Sequence, residues 1–426
     1  MQQPRAATPA FAVQALMYVG MAFVMLGNYY GYDSIAPVAE QLSRELHFSD
    51  TQIGTLNAIY SLPNIFLVAV GGVLVDRFRA RRLAVLTTTL CLVGAVVTAL
   101  GTQFPLMAIG RLLFGVGSET LAVVTTVALA QWFAGRYFAL LFALNLSLAR
   151  LGSYLADRSP SFADGLYARG WQPPLWLAVG FALASFAGAL LYYWLDRREA
   201  PRGTLALAPP PARLDWSQLL SFRREYWLLV AVCVTFYSVI FPFRSTFAIK
   251  YLQQAQGLSL SAASTLNSYV FLGAVFATPV FGLLLDRTGR NAPLLAAGAG
   301  LLPLSFMVLA VFPGSAGLST TLLGVSFSFL PAVLWPTVVR YSAPEHLGTA
   351  YGLMTALQNA GLFGANVVAG YLNDTSGASA ANPAGYAPML WFFGLLSLAA
   401  FLCTLLLWVL DHGAAVRATA AADGPS

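Results

Sequence analysis

The sequence predicts an all-α membrane protein made of two pseudo-symmetric six-helix bundles, with both termini cytoplasmic. Three observations carry this. Twelve apolar stretches, each about 20 residues or longer, fill the 426-residue chain, and that length crosses a hydrocarbon core about 30 Å thick. Charged residues make up only 9% of the chain and hydrophobic ones 58%. A soluble domain has roughly 25% charged residues, so this chain could not cover a water-facing surface. Finally, Gly72-Val73-Leu74-Val75-Asp76-Arg77 returns as Gly282-Leu283-Leu284-Leu285-Asp286-Arg287, 210 positions later and about half the chain away.

The first bundle, 1–195, holds spans near 11–35, 51–74, 83–101, 105–131, 137–158 and 173–195. The stretch beginning at Phe11 is too long for a signal-peptide core and lacks a small-x-small cleavage site, so it reads as a retained span. The second span ends in the first copy of the repeated string. Gly110, Gly115, Gly117 and Ser118 crowd the fourth, where small residues let helix backbones approach closely. Its Leu113-Phe114-Gly115-Val116 is echoed in the tenth span by Leu322-Leu323-Gly324-Val325. Residues 196–224 are the linker, with Pro209-Pro210-Pro211 and charges of both signs. Its end, Asp215 to Phe222, has helical apolar spacing and reads as a short helix lying in the cytoplasmic interface. The second bundle, 225–411, holds spans near 225–252, 260–285, 291–313, 317–341, 346–372 and 386–410. Pro331 and Pro336 should bend the tenth span, and Gly361, Gly364 and Gly370 mark the eleventh as closely packed. Residues 412–426 are small and polar, a disordered tail.

Cation placement sets the orientation. Of 23 cations, 22 are arginines and one is Lys250. With the N-terminus inside, 16 fall in cytoplasmic loops or tails, four outside (Arg44, Arg158, Arg169, Lys250) and three within spans (Arg111, Arg150, Arg244). That bias puts both termini in the cytoplasm. The basic balance therefore reflects topology and excludes a nucleic-acid patch. Cys91, Cys233 and Cys403 lie in spans, with no disulfide framework or CxxC site. HExxH, GxSxG and His–Asp clusters are absent, and His47, His346 and His412 sit in loops or at a span end. No enzyme activity, metal or cofactor is expected. The scarcity of lysine points to a GC-rich bacterial genome, hence to a plasma membrane.

Duplicated halves that rock against each other are the architecture of a secondary transporter. The Gly-x-x-x-Asp-Arg string after the second and eighth spans resembles the signature loop of the major facilitator superfamily. The second copy fits fully, with Gly282, Asp286, Arg287, Gly289 and Arg290. The first departs, with Arg79 where glycine is usual. Longer strings resemble a branch of lysosomal dipeptide uniporters within that superfamily: Tyr30-Gly31-Tyr32-Asp33, Phe114 through Val123, Leu146 through Ser153, Ile240-Phe241-Pro242-Phe243, Leu334-Trp335-Pro336, Pro344 through Gly352, and Gln358-Asn359. The resemblance implies a small-molecule substrate and transport by alternating access; a monomer in the bilayer is expected, while an accessory subunit stays open.

Ionisable residues inside a membrane are costly and mark function. Five remain once loops are assigned: Asp33, Arg111, Glu119, Arg150 and Arg244. Glu119 and Arg150 lie near mid-depth in the fourth and fifth spans. Together they suit a zwitterion, the carboxylate holding an ammonium and the guanidinium gripping a carboxylate. The resemblance implies the same pair of contacts; the alternative is a plain ion pair holding the two spans together. Arg244 is a candidate second carboxylate contact, without a clear counterpart in the resembling strings. Arg111, two turns before Glu119, either bridges to Asp33 or serves gating or coupling. Tyr29, Tyr32, Tyr60, Asn145, Tyr237, Asn267, Trp335, Gln358 and Asn359 complete a polar lining. The superfamily pattern implies a charge latch on the cytoplasmic side from Asp76, Arg77, Asp286, Arg287 and Arg290. A buried Glu119 also allows proton coupling. The competing reading is a proton-linked carrier of organic anions gripped by Arg150 and Arg244, with Glu119 as the proton site.

Overall fold

A computed structural model describes residues 11–67, 78–133, 138–199, 222–288, 291–312, 314–343 and 346–422. The long helices of the first half are α1 (Phe11–Asp33), α2 (Asp50–Ser61), α3 (Ala80–Leu100), α4 (Phe104–Trp132), α5 (Phe138–Phe162) and α6 (Gln172–Glu199). Those of the second are α7 (Arg224–Pro242), α8 (Leu260–Thr288), α9 (Asn291–Val311), α10 (Ala316–Tyr341), α11 (Leu347–Thr375) and α12 (Ala387–Ala422). Among the described residues, eight helical segments are long and apolar enough to cross a membrane.

Most of the interfacial helix expected over 215–222 lies outside the described residues, as do Asp76, Arg77, Arg290 and the side chain of Asp286. Arg287 is exposed near the end of α8. Two expectations give way. The disordered tail is replaced over most of its length by helix, since α12 runs on to Ala422. Alanine, the best helix former, dominates that stretch. The seventh span is not one regular helix. Pro242 lacks an N–H and interrupts the bonding ladder, and Phe243–Phe247 widen into a π turn before a short helix, Ala248–Gln254.

The duplication read from the repeated string reappears as packing. In the first half the most extensive helix contacts are α1–α5, α1–α6, α2–α4, α3–α4 and α3–α6. Adding six to each number gives α7–α11, α7–α12, α8–α10, α9–α10 and α9–α12, and these are the most extensive helix contacts of the second half. The halves meet through α2–α11 and α5–α8, which exchange with each other under the same rule. Close approach needs glycine at this seam. A Cβ on Gly54 of α2 would collide with the Asn366 carbonyl of α11, and one on Gly370 with the Asp50 carbonyl.

The second half has one continuous core around Phe236, Phe243, Phe271, Phe306, Phe327 and Phe393. The first half has two, one around Met17, Met21, Val24 and Leu121, the other around Ile35, Val38, Ile53 and Leu56. Between them lies a smaller cluster of Tyr32, Tyr60, Cys91 and Phe114. The polar chemistry sits at this depth, facing the seam.

Candidate functional site

The charged side chains fall on two floors. Glu119, Arg150 and Tyr237 occupy the first. Arg111, Asp157 and Arg244 lie seven or eight residues away on the same three helices, toward the end of the molecule remote from the chain termini. Two helical turns separate the floors by about 11 Å.

On the inner floor, Glu119 and Arg150 are both half-buried. Among the described residues neither takes part in an ion pair. The plain Glu119–Arg150 bridge weighed above is therefore not formed. Instead the Arg150 guanidinium lies over Phe327, 4.6 Å from its ring centre, and 5.6 Å from that of Phe271. Tyr29 stands within electrostatic reach of Arg150, Glu119 and Asp33. The Tyr60 and Ser118 hydroxyls are 2.6 Å apart. Across the seam, Trp335 Nε1 donates to the Tyr237 hydroxyl at 3.1 Å, and the Tyr351 hydroxyl donates to the Trp335 carbonyl at 2.9 Å. Asn145 is buried with its Oδ1 unpartnered among the described residues. Gln358 and Asn359 are satisfied nearby, Gln358 by the Cys233 thiol at 3.5 Å and Asn359 by the Thr355 carbonyl at 3.0 Å. An aromatic wall joins the halves, running from Tyr60 through Tyr32 and Phe241 to Tyr237 and Phe327.

The outer floor is a bridge between the halves. Arg244, aimed by the π turn, donates to Asp33 Oδ1 at 2.6 Å and to Asp157 Oδ2. All three side chains are at most 1% exposed. Asn267 of α8 completes the join, donating to Asp157 Oδ2 at 3.1 Å and to the Arg244 carbonyl at 3.1 Å. Arg244, expected to grip a substrate carboxylate, is thus enclosed between two carboxylates of the other half. Asp157 was missed by the sequence reading, although it lies two turns after Arg150 within the fifth span.

Arg111 does not pair with Asp33. Its guanidinium donates to the carbonyls of Gly31 (3.0 Å), Tyr32 (3.1 Å) and Leu56 (3.2 Å) and to Asn57 Oδ1 (2.7 Å). The first two belong to the last turn of α1, where unpaired carbonyls and the helix dipole favour a cation. Asn57 then reaches across the seam to the Ser245 carbonyl and Thr246 hydroxyl, both at 2.8 Å. Thr246 continues to Asn366 of α11 at 2.8 Å.

A third layer closes the remote end. Lys250, expected in an outer loop, is buried and pairs with Asp50. Asn373 donates to Asp50 Oδ2 at 2.8 Å. Asp374 caps the start of α2 across the seam, accepting from the amides of Asp50 and Thr51 at 2.8 Å each and from the Thr51 hydroxyl at 2.5 Å. Asp374 lies beyond the expected eleventh span. Burial opposes its charge, but the Thr51 hydroxyl and the two amides outweigh that and hold its carboxyl below its ordinary range.

Two duplicated helical bundles, joined by a polar seam with buried ionisable residues between them, define a membrane transporter rather than an enzyme. The sequence profile of the Major Facilitator Superfamily matches residues 21–365 and 239–426. The chain belongs to that family. It is 33% identical to the lysosomal dipeptide transporter MFSD1 of Homo sapiens, over 86% of this chain and 81% of that protein. It is 25% identical to a probable sulfoacetate transporter of Cupriavidus necator, over 81% of this chain and 84% of that protein. A crystal structure of the peptide transporter POT superposes with a TM-score of 0.75 at 16% identity, covering 96% of both chains, which shows the shared fold.

Proposed function

We propose that this chain moves small zwitterions, dipeptides foremost, by alternating access between its halves. Glu119 holds the ammonium, Arg150 the carboxylate, and Tyr29, Tyr32, Asn145, Tyr237, Trp335, Gln358 and Asn359 line the space between. The observation that carries this reading is that neither Glu119 nor Arg150, at matching depth on neighbouring spans, has an ionic partner among the described residues. A charge inside a membrane-spanning bundle without an ionic partner is costly, and a zwitterion supplies both missing partners at once. The likeness to MFSD1 supports the same choice.

In this reading the chain makes twelve spans as a monomer in a bacterial plasma membrane. Its termini are cytoplasmic, so the Arg244 and Lys250 layers close the outside. Asp33 and Arg111 belong to this outer closure. Asp76, Arg77, Asp286, Arg287 and Arg290 form the latch of the cytoplasmic side. The test is uptake of a labelled dipeptide by proteoliposomes containing wild type, Glu119→Gln or Arg150→Ala, with and without a pH gradient. Saturable uptake lost in both variants supports the zwitterion site, and dependence on the gradient decides between uniport and proton symport. Folded protein that takes up no dipeptide would sink the reading.

The second reading, a proton-coupled carrier of small organic anions, draws on the likeness to the probable sulfoacetate transporter and on the open cation of Arg150. Competition by a monoanion lacking an amine separates the two.

A further inference from the structure

Two guanidiniums from different helices rest on one ring. Phe271 of α8 is 1% exposed. Arg244 of the outer bridge lies 3.8 Å from its centre, and Arg150 of the inner floor 5.6 Å. Phe327 of α10 backs the arrangement. Its ring meets Phe271 edge to face, with centroids 5.4 Å apart at 81°, and carries Arg150 on its own face at 4.6 Å. The negative face of an aromatic ring attracts a cation, most strongly where water is excluded. Arg150 and Phe327 therefore confine Phe271 against Arg244. Phe271 thus touches a guanidinium of each floor, the two floors lying about 11 Å apart along their helices.

We propose that Phe271 is a positioning residue that couples Arg150 to the Arg244 bridge. A carboxylate that binds Arg150 draws its guanidinium off the two rings. Phe271 then loses the layer that holds it in place, its contact with Arg244 loosens, and the bridge to Asp33 and Asp157 is weakened. Occupancy of the inner floor is thereby conveyed to the closed end. This rests on Arg150 being the carboxylate contact, but the coupling itself is measurable with no substrate present.

The reporter is a cysteine pair at Ser161 of α5 and Ser261 of α8, whose hydroxyls are 2.9 Å apart across the seam. Its rate of disulfide formation follows closure of that end in the full chain, reconstituted in liposomes. Arg150→Ala and Phe271→Leu should each slow cross-linking by about fivefold, and the double variant by about the same factor, not by the product of the two. Additive effects, or none, would overturn the coupling. Stepwise fluorination of the residue 271 ring keeps its shape while weakening its negative face. A graded slowing is expected, and a flat series would overturn the cation–π basis even if Phe271→Leu folds poorly. Saturating dipeptide should slow wild-type cross-linking and leave Phe271→Leu unmoved. If the cycle couples but wild type takes up no dipeptide, the substrate assignment fails and the coupling stands.

Discussion

At the scale of single residues, two arginines separate two roles. Arg244 is built in, and Arg150 is left open. Removing one partner of a buried ionic group costs about 3–5 kcal/mol. Arg244→Ala leaves Asp33 and Asp157 buried together without a cation, so it should lower the melting temperature of the detergent-purified protein markedly. Asp33→Asn should do so less, because Asp157 still faces Arg244. Glu119→Gln removes no ionic partner among the described residues, so it should abolish uptake while leaving the melting temperature close to wild type. Arg150→Ala should also abolish uptake, and because it loses only its ring contacts and slackens the Arg244 bridge without breaking it, it should lower the melting temperature far less than Arg244→Ala. A loss of stability in these two as large as that of Arg244→Ala would mean that they hold the fold and not a solute. Glu119, Arg150, Arg111 and Arg244 were legible in the sequence because an ionisable group inside an apolar span is conspicuous. Their partners were not. Helical spacing gives the face of a residue but not which helix that face meets. Arg244 was therefore assigned to a solute, Lys250 to a loop and Asp157 to nothing.

At the scale of elements, the seam depends on backbones that nearly touch. Gly54→Val would drive a side chain into the Asn366 carbonyl of α11. The closed end should then no longer shut, and cross-linking of the Ser161/Ser261 cysteine pair should fall well below that in the unsubstituted protein. A pair that still cross-links at full rate would refute the role of close packing here. Pro242→Ala restores the N–H whose loss opens the π turn. Without that turn the register changes by one residue, which rotates Arg244 by about 100° around the helix. The Asp33 and Asp157 contacts should be lost, and the variant should melt like Arg244→Ala. Gly361 and Gly370 of the eleventh span had announced close packing in the sequence, whereas Gly364, expected to do the same, meets nothing within reach of a Cβ. The proline of the seventh had not announced a π turn, because proline more often simply kinks or ends a helix.

At the scale of the whole molecule, the duplication was the most readable feature. One string repeated at half-chain spacing announced two similar halves, and the packing repeats with them, five extensive helix contacts recurring under a shift of six and two seam contacts exchanging. Composition could not say at which end the halves touch, because that depends on the state in which the molecule rests. Alternating access requires the touching end to part. A disulfide between cysteines at 161 and 261 should therefore arrest transport, and reductant should restore it. Undiminished uptake by fully cross-linked protein would rule out opening at this end as part of the cycle.

The bridge of Arg244 to Asp33 and Asp157 also bears on how the chain is made. The two carboxylates are synthesised first, in α1 and α5, and their only cation in that bridge comes later, in the π turn that follows α7. While the ribosome is still working through the linker, the amino-terminal bundle holds these two acids without the guanidinium that bridges them, at a depth where each is costly. The packing of α1 against α5 at that depth is therefore completed only by a residue of the other half. Although the duplication makes the two halves look like separable modules, their maturation is one event, completed only when the seventh helix arrives.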